Sequence, residues 1–337
     1  MIKIGFYKLG LDREQINTIF GGMYRDFFSA ISDNDEFTAT HFVDEKDVYS
    51  FDIIVLPMGG NQDISSCRVM DKFKHSVILY TPPAEDWFKE KMLKRWSDKI
   101  LFVYNTDESD YSRKKYESIN IDYVTIPFAS NPQKFRPVNV EKIYDVAFVA
   151  SAESGKGRFK YIDLLMKKAE INKWNVLLLG RGWQKYNIPL QLVAHGELLN
   201  LIYNSAKICI NISNDEQKLG QDKRLDSNNR LFDLAMAGCF QISNAPQIVR
   251  KYFNEDEVCS EDDPEKFIEK ITYYLSHENE RTAMAEKVMK SARANHLWKS
   301  RADKFCQKIK ETLSKNNDNK PSVWMKLYRK IDIIKIK

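Results

Sequence analysis

SNNRLFDLAMAGCFQISN, running from Ser227 to Asn244, reads as one helix that feeds one buried strand. Ser227–Asn229 supplies the short polar side chains that cap a helix N-terminus. Leu231, Leu234 and Ala235 share one helical face, and the small Ala235, Ala237 and Gly238 let that helix press close to a sheet. Gly238 ends the helix, and CFQIS follows as an apolar strand. Arg230 and Asp233 are expected in the first turn, at the positive end of the helix dipole. There Arg230 offers an anion a charged fork, and the Asp233 carboxylate can accept from two vicinal hydroxyls. The dipole alone would also favour an acid at this place.

Working outward, the same grammar fills the chain. The expected strands of the first half are Ile2–Tyr7, Phe37–Val43, Asp52–Pro57, Ser76–Thr81, Ile100–Asn105 and Tyr123–Phe128. Those of the second half are Tyr144–Ser151, Asn175–Gly180, Ile208–Ser213 and Cys239–Ser243. Val, Ile, Leu and Phe dominate them, as in strands buried on both faces. Between them lie amphipathic stretches such as Pro264–His277, where Phe267, Ile268, Ile271, Tyr274 and Leu275 fall on one face. Strands alternating with helices predict an α/β chain built of parallel sheets.

The 337 residues exceed what one hydrophobic core usually serves, so two domains are expected. A Pro- and Asn-rich connector, SNPQKFRPVNVE, separates them. The boundaries are set at 1–135 and 141–295 for two Rossmann-like domains facing a cleft. A closing helix occupies 296–314, and a linker with a basic amphipathic tail occupies 315–337.

Composition narrows the function. Apolar residues at 43% and charged residues at 29% describe an ordinary globular chain. The five cysteines show no CxxC spacing, which points to buried thiols and no metal site. From Lys308 to Lys337 nine basic residues face three acidic ones, an excess of six in a chain of net +5. The body is therefore nearly neutral, which speaks against a nucleic-acid surface. No apolar run approaches the ~18 residues of a membrane span, and the start lacks a signal-peptide pattern. A cytoplasmic location is expected, with a peripheral contact to an anionic membrane through the tail, PSVWMKLYRKIDIIKIK.

Ligands of open parallel sheets bind at the carboxyl ends of strands, so the chemistry is sought in the loops that follow them. After YDVAFVA come Ser154, Gly155, Lys156 and Arg158, small and basic residues ahead of a helix, suited to a diphosphate. The GxxxxGK[ST] spacing of a P-loop is absent. After WNVLLLG, Gly180 and Gly182 flank Arg181 and permit close approach to a nucleotide. His195, ahead of a short helix, is a further nucleotide contact. Asn229, Arg230 and Asp233 complete the donor-binding set.

At Arg230–Phe240, R-x-F-D-x-A-x-A-G-C-F, the sequence resembles the donor-binding helix of GT-B glycosyltransferases, closest to the spore-maturation-protein-like group (glycosyl transferase group 1-like). IPFASNPQKFRP, LLGRGW, GELLNLIYNSAKICINIS and NHLWKSRADKF agree in order, so the resemblance covers about Ile126 to Phe305. In related enzymes a Glu at the Asp233 position holds the ribose of the donor. Another Glu stands eight positions earlier, where this chain has Leu225, which leaves the stereochemistry of transfer open. The resemblance implies a nucleotide-sugar donor and a glycan, lipid-linked or protein acceptor. It also implies no cofactor and no metal, the leaving diphosphate being stabilised by Lys156, Arg158 and Arg230. Glu85, Asp86 and Asp12 are the candidate catalytic bases from the first domain. A sugar-nucleotide epimerase, a two-lobed binding protein and a non-catalytic partner subunit share the same build.

Overall fold

The computed structural model describes residues 1–8, 19–59, 62–84, 87–152, 157–188, 194–213 and 225–315. They form two compact units, one from Met1–Pro127 with the chain from Trp298 onward, the other from the chain between Phe128 and Leu297.

The first unit is a six-stranded sheet of β1 (Ile2–Tyr7), β2 (Phe37–Phe42), β3 (Ile53–Pro57), β4 (Ser76–Tyr80), β5 (Ile100–Asn105) and β6 (Tyr123–Thr125). The order is β2-β1-β3-β4-β5-β6, every pairing parallel. Helices α1 (Ile19–Ser32), α2 (Gln62–Lys72), α3 (Glu90–Arg95) and α4 (Asp110–Glu117) connect the strands. Successive side chains of a strand point to opposite faces, so an unbroken apolar run serves two cores. Ile4, Phe6, Ile53, Val55, Ile78 and Phe102 enter one, and Tyr7, Ile54, Leu56, Val77, Leu79 and Val103 the other.

The second unit is a five-stranded sheet of β7 (Tyr144–Val149), β8 (Val176–Leu179), β9 (Ala206–Asn211), β10 (Gln241–Ser243) and β11 (Cys259–Ser260). Its order is β11-β10-β9-β7-β8, again parallel throughout. The helices are α5 (Arg158–Asn172), α6 (Gly196–Asn204), α7 (Asn229–Met236), α8 (Pro246–Val249), α9 (Pro264–Ser276) and α10 (Glu278–Asn295). On α9 the expected face is the buried one, with Phe267, Ile268 and Ile271 turned inward. The two-residue β11 was not anticipated; it is too short to carry a period of its own. The stretch expected to be a strand to Phe128 pairs only to Thr125, just ahead of Pro127, which has no N–H to donate.

The chain then returns to the first unit as α11 (Trp298–Lys315). Ala302, Phe305, Cys306, Ile309 and Leu313 recur at helical spacing and enter the first of its two cores. The Phe305 ring lies 5.5 Å from Phe27, 5.7 Å from Phe102 and 5.3 Å from Tyr104, in edge-to-face contact with each. Lys308 pairs with Asp122 at 2.6 Å and Lys310 with Glu36 at 2.6 Å, which fixes the helix at both edges. Two parallel α/β sheets flanked by helices are the fold class expected from the strand–helix alternation.

Phe305→Ala removes the ring that packs edge-to-face against rings of α1 and β5. It is expected to destabilise the protein by about 3–5 kcal/mol, read as a lower urea midpoint for the unfolding of the first unit.

Candidate functional site

In the second unit the strand order reverses between β7 and β9, which are neighbours in the sheet although β8 lies between them in sequence. The crevice beyond the carboxyl ends of two such strands is where open α/β sheets take ligands. Two arginines occupy it. Arg158, the first residue of α5 and only 4% exposed, donates from Nε to the Ile212 carbonyl (3.2 Å) just past β9. Its Nη1 donates to the Ser151 carbonyl just past β7. Arg230, in the first turn of α7, does the reverse. Its Nε donates to the Val149 carbonyl of β7 (3.1 Å), and its Nη1 to Asn211 Oδ1 of β9 (3.0 Å). Both guanidiniums lie against the Phe148 ring, 5.6 and 5.2 Å from its centre.

Burial lowers the pKa of both arginines, and for Arg158 the charge of Arg230 lowers it further. Tyr203 and, to a lesser extent, Asp233 act in the opposite sense on Arg230. A guanidinium stays protonated under these conditions. Two like charges drawn out of water side by side raise the free energy of the empty site, and an anion relieves that cost.

The loop after β8 braces this crevice. Gly180 has φ +134°, and a Cβ there would fall 2.3 Å from the Ala150 carbonyl oxygen, so only glycine lets the two loops meet. The Arg181 carbonyl accepts from Ala152 N (2.7 Å), and Arg181 N donates to Ser151 Oγ (3.3 Å). Trp183 is buried at 1% exposure, and its Nε1 donates to the Ala150 carbonyl (2.7 Å). Gly180, the Arg181 backbone and Trp183 therefore hold the backbone whose Ser151 carbonyl Arg158 grips, while the Arg181 side chain is exposed.

Helix α7 begins at Asn229, with the Asn228 side chain as its cap, accepting from Leu231 N (3.1 Å). Asp233 was expected in the first turn and lies in the second. It is 4% exposed, and its oxygens accept from Ser130 Oγ (2.7 Å) and Asn229 Nδ2 (3.1 Å). Here it ties the segment entering the second unit to the helix that carries Arg230.

Among the remaining expected residues, His195 is exposed and stands at the N-terminus of α6. Ser154, Gly155, Lys156, Glu85, Asp86 and Asp12 lie outside the described residues. What leads into the 85–86 loop is described. Ala84 N donates to Ser112 Oγ (2.9 Å), and Asn105 Nδ2 donates to the Pro82 carbonyl (3.2 Å). Asp107, fully buried, accepts from Ser109 N (3.0 Å), Ser109 Oγ (2.7 Å) and Ser112 Oγ. The loop after β4 thus starts from a pinned backbone.

Sequence reading missed the amides. Asn211 Oδ1 accepts from both Arg230 and Asn228 Nδ2 (3.0 Å each), and Asn244 Oδ1 accepts from Ser213 N (2.8 Å). The available signal was polarity at the carboxyl end of apolar strands: AKICIN ends in Asn211, and QIS is followed by Asn244.

Comparison with known proteins bears on the fold that carries these residues. Residues 160–307 match the protein family described as "Glycosyl transferase-like". The spore protein CgeB of Bacillus subtilis (strain 168) is 26% identical over 205 residues, spanning 56% of this chain and 61% of that protein. A sucrose-phosphate synthase from Thermosynechococcus elongatus superposes with a TM-score of 0.61 at 12% identity, over 93% of this chain and 100% of its own. T4 phage β-glucosyltransferase in complex with UDP-glucose gives 0.59 at 12%, over 91% and 99%. Anabaena HepE in complex with UDP-glucose gives 0.61 at 11%, over 94% and 100%.

The chain has the GT-B fold. Residues 160–307, which include the Arg230–Phe240 motif, are glycosyl transferase-like.

Asp233 and Arg230 separate structure from binding. Asp233→Ala strips a buried partner from Ser130 and Asn229 and is expected to cost about 1–3 kcal/mol of stability without any ligand. Arg230→Met is expected to remove the rise in melting temperature that inorganic pyrophosphate gives the parent. Thermal unfolding of both variants with and without pyrophosphate checks the pair of outcomes.

Proposed function

We propose that this chain is a glycosyltransferase that moves a sugar from a nucleotide-sugar donor to a hydroxyl of an acceptor, with the second unit holding the donor. The observation that carries the reading is the pair Arg158 and Arg230, each bridging the carboxyl ends of β7 and β9. That place suits the diphosphate. The nucleotide lies outward along the loops of Gly180, Arg181, Gly182 and His195, and Lys156 adds charge from the loop before α5. The fold's solved neighbours bound to UDP-glucose support a nucleotide-sugar donor.

In the reaction the bond from the anomeric carbon to the diphosphate oxygen breaks, and a bond to the acceptor oxygen forms. The acceptor's proton passes to a base, for which Glu85, Asp86 and Asp12 of the first unit are the candidates. Negative charge grows on the departing diphosphate. Two guanidiniums already fixed by backbone carbonyls meet that charge without reorganising, which is the condition for transition-state stabilisation. No divalent cation is then required.

Turnover is expected to survive excess EDTA, measured as nucleoside diphosphate released in the presence of acceptor. A full loss restored by manganese would reassign the leaving-group chemistry. Arg158→Met is expected to lower kcat by about 10²–10³-fold.

The acceptor is proposed to be a cell-surface or lipid-linked glycan, reached at an anionic membrane through Pro321–Lys337. No helix among the described residues is long and apolar enough to cross a membrane. The tail's alternating apolar and basic residues suit a surface contact, each basic group adding about 1 kcal/mol near anionic lipid. Vesicles containing phosphatidylserine are expected to pellet the full chain and to release one ending at Asn319. Equal pelleting of the two at moderate salt would overturn the membrane contact.

A further inference from the structure

Asn244 follows β10, and its own backbone N–H donates to the Asn211 carbonyl (3.2 Å). Its side-chain oxygen accepts from Ser213 N (2.8 Å). A backbone N–H can be met only by the amide oxygen, so this bond fixes which way the amide faces. The Asn244 NH2 is turned away from that bond, in a residue only 4% exposed, and has no partner among the described residues. Ser227 Oγ, in a residue 6% exposed, is likewise without a partner. Buried polar groups are rarely left unmet, and one that is calls for an explanation such as strain, water or a ligand.

Both groups border the arginine pair. Asn228, adjacent to Ser227, donates from Nδ2 to Ser213 Oγ (3.4 Å) and to Asn211 Oδ1 (3.0 Å), the atom that also accepts from Arg230. Asn244 is thus one residue from Arg230 through Asn211, and one from Asn228 through Ser213. The chemistry differs across this short span. Guanidiniums meet the charge of a diphosphate. A neutral amide N–H and a hydroxyl bring no charge and suit neutral hydroxyl oxygens.

We propose that Asn244, together with Ser227, determines donor specificity by holding hydroxyls of the sugar to be transferred. This rests on the donor reading above and names the part of the donor that reading leaves unassigned. A site built to bond a hydroxyl discriminates strongly, because an analogue lacking it leaves the buried groups unmet.

Calorimetric titration of the parent, Asn244→Ala and Ser227→Ala with UDP, GDP and dTDP, and with UDP-glucose, GDP-mannose and dTDP-glucose, tests it. The parent is expected to bind at least one diphosphate together with its sugar form. Asn244→Ala is expected to keep the diphosphate within about threefold and to weaken the nucleotide sugar by about 5- to 100-fold, Ser227→Ala acting in the same direction. Asn244→Asp keeps the oxygen that meets Ser213 and removes the N–H. It carries the same expectation of selective loss if the alanine variant does not fold. Equal weakening of diphosphate and nucleotide sugar would make the role structural and overturn the proposal, as would unchanged binding of both. A parent that binds no diphosphate and no nucleotide sugar would instead overturn the donor reading, and this inference with it.

Discussion

Two guanidiniums held in one desolvated crevice are the constraint around which the second unit is built. Arg158 and Arg230 come from helices far apart in sequence, yet each grips both β7 and β9 at their carboxyl ends. Each arginine satisfies strand-end groups that have left the ladder, so the pair closes the sheet at its point of reversal. Burial and, for Arg158, mutual repulsion set these groups against the empty state. The same repulsion makes the place attractive to a polyanion.

The surrounding parts serve to hold those guanidiniums still. Gly180 brings the loop after β8 against Ala150, and Trp183 holds the same carbonyl from the side. Asn228 and Asn211 fix the start of α7, so Arg230 needs no reorganisation to meet a charge. Asp233 anchors the same helix one turn further in, through Ser130. A shorter carboxylate than glutamate suits that inward task, because its oxygens are already engaged with Ser130 and Asn229.

The first unit solves a different problem. Its sheet exposes two apolar faces, and α11 covers one of them with residues from the far end of the described chain. Phe305 meets rings from α1 and β5, which makes the first unit complete only once the whole of the second has been made. Beyond β4 and β5, the buried Asp107 and Asn105 set the backbone from which the 85–86 loop departs.

The sequence by itself determined the fold class, ten of the eleven strands found among the described residues and the helix that carries Arg230. Apolar runs of strand length, small residues on α7 and the glycine after it are local patterns, and local patterns follow from backbone sterics and side-chain burial. It also pointed to Arg158 and Arg230 as basic residues at helix starts. Only the tertiary structure decided what they bond, since hydrogen bonds spanning 54 and 81 residues leave no periodic trace. The inward role of Asp233, and the unmet amide of Asn244, depend on partners at Ser130 and Ser213 that only folding brings near. Sequence records which groups can donate and accept, and the fold alone decides which of them meet and which are left for a ligand.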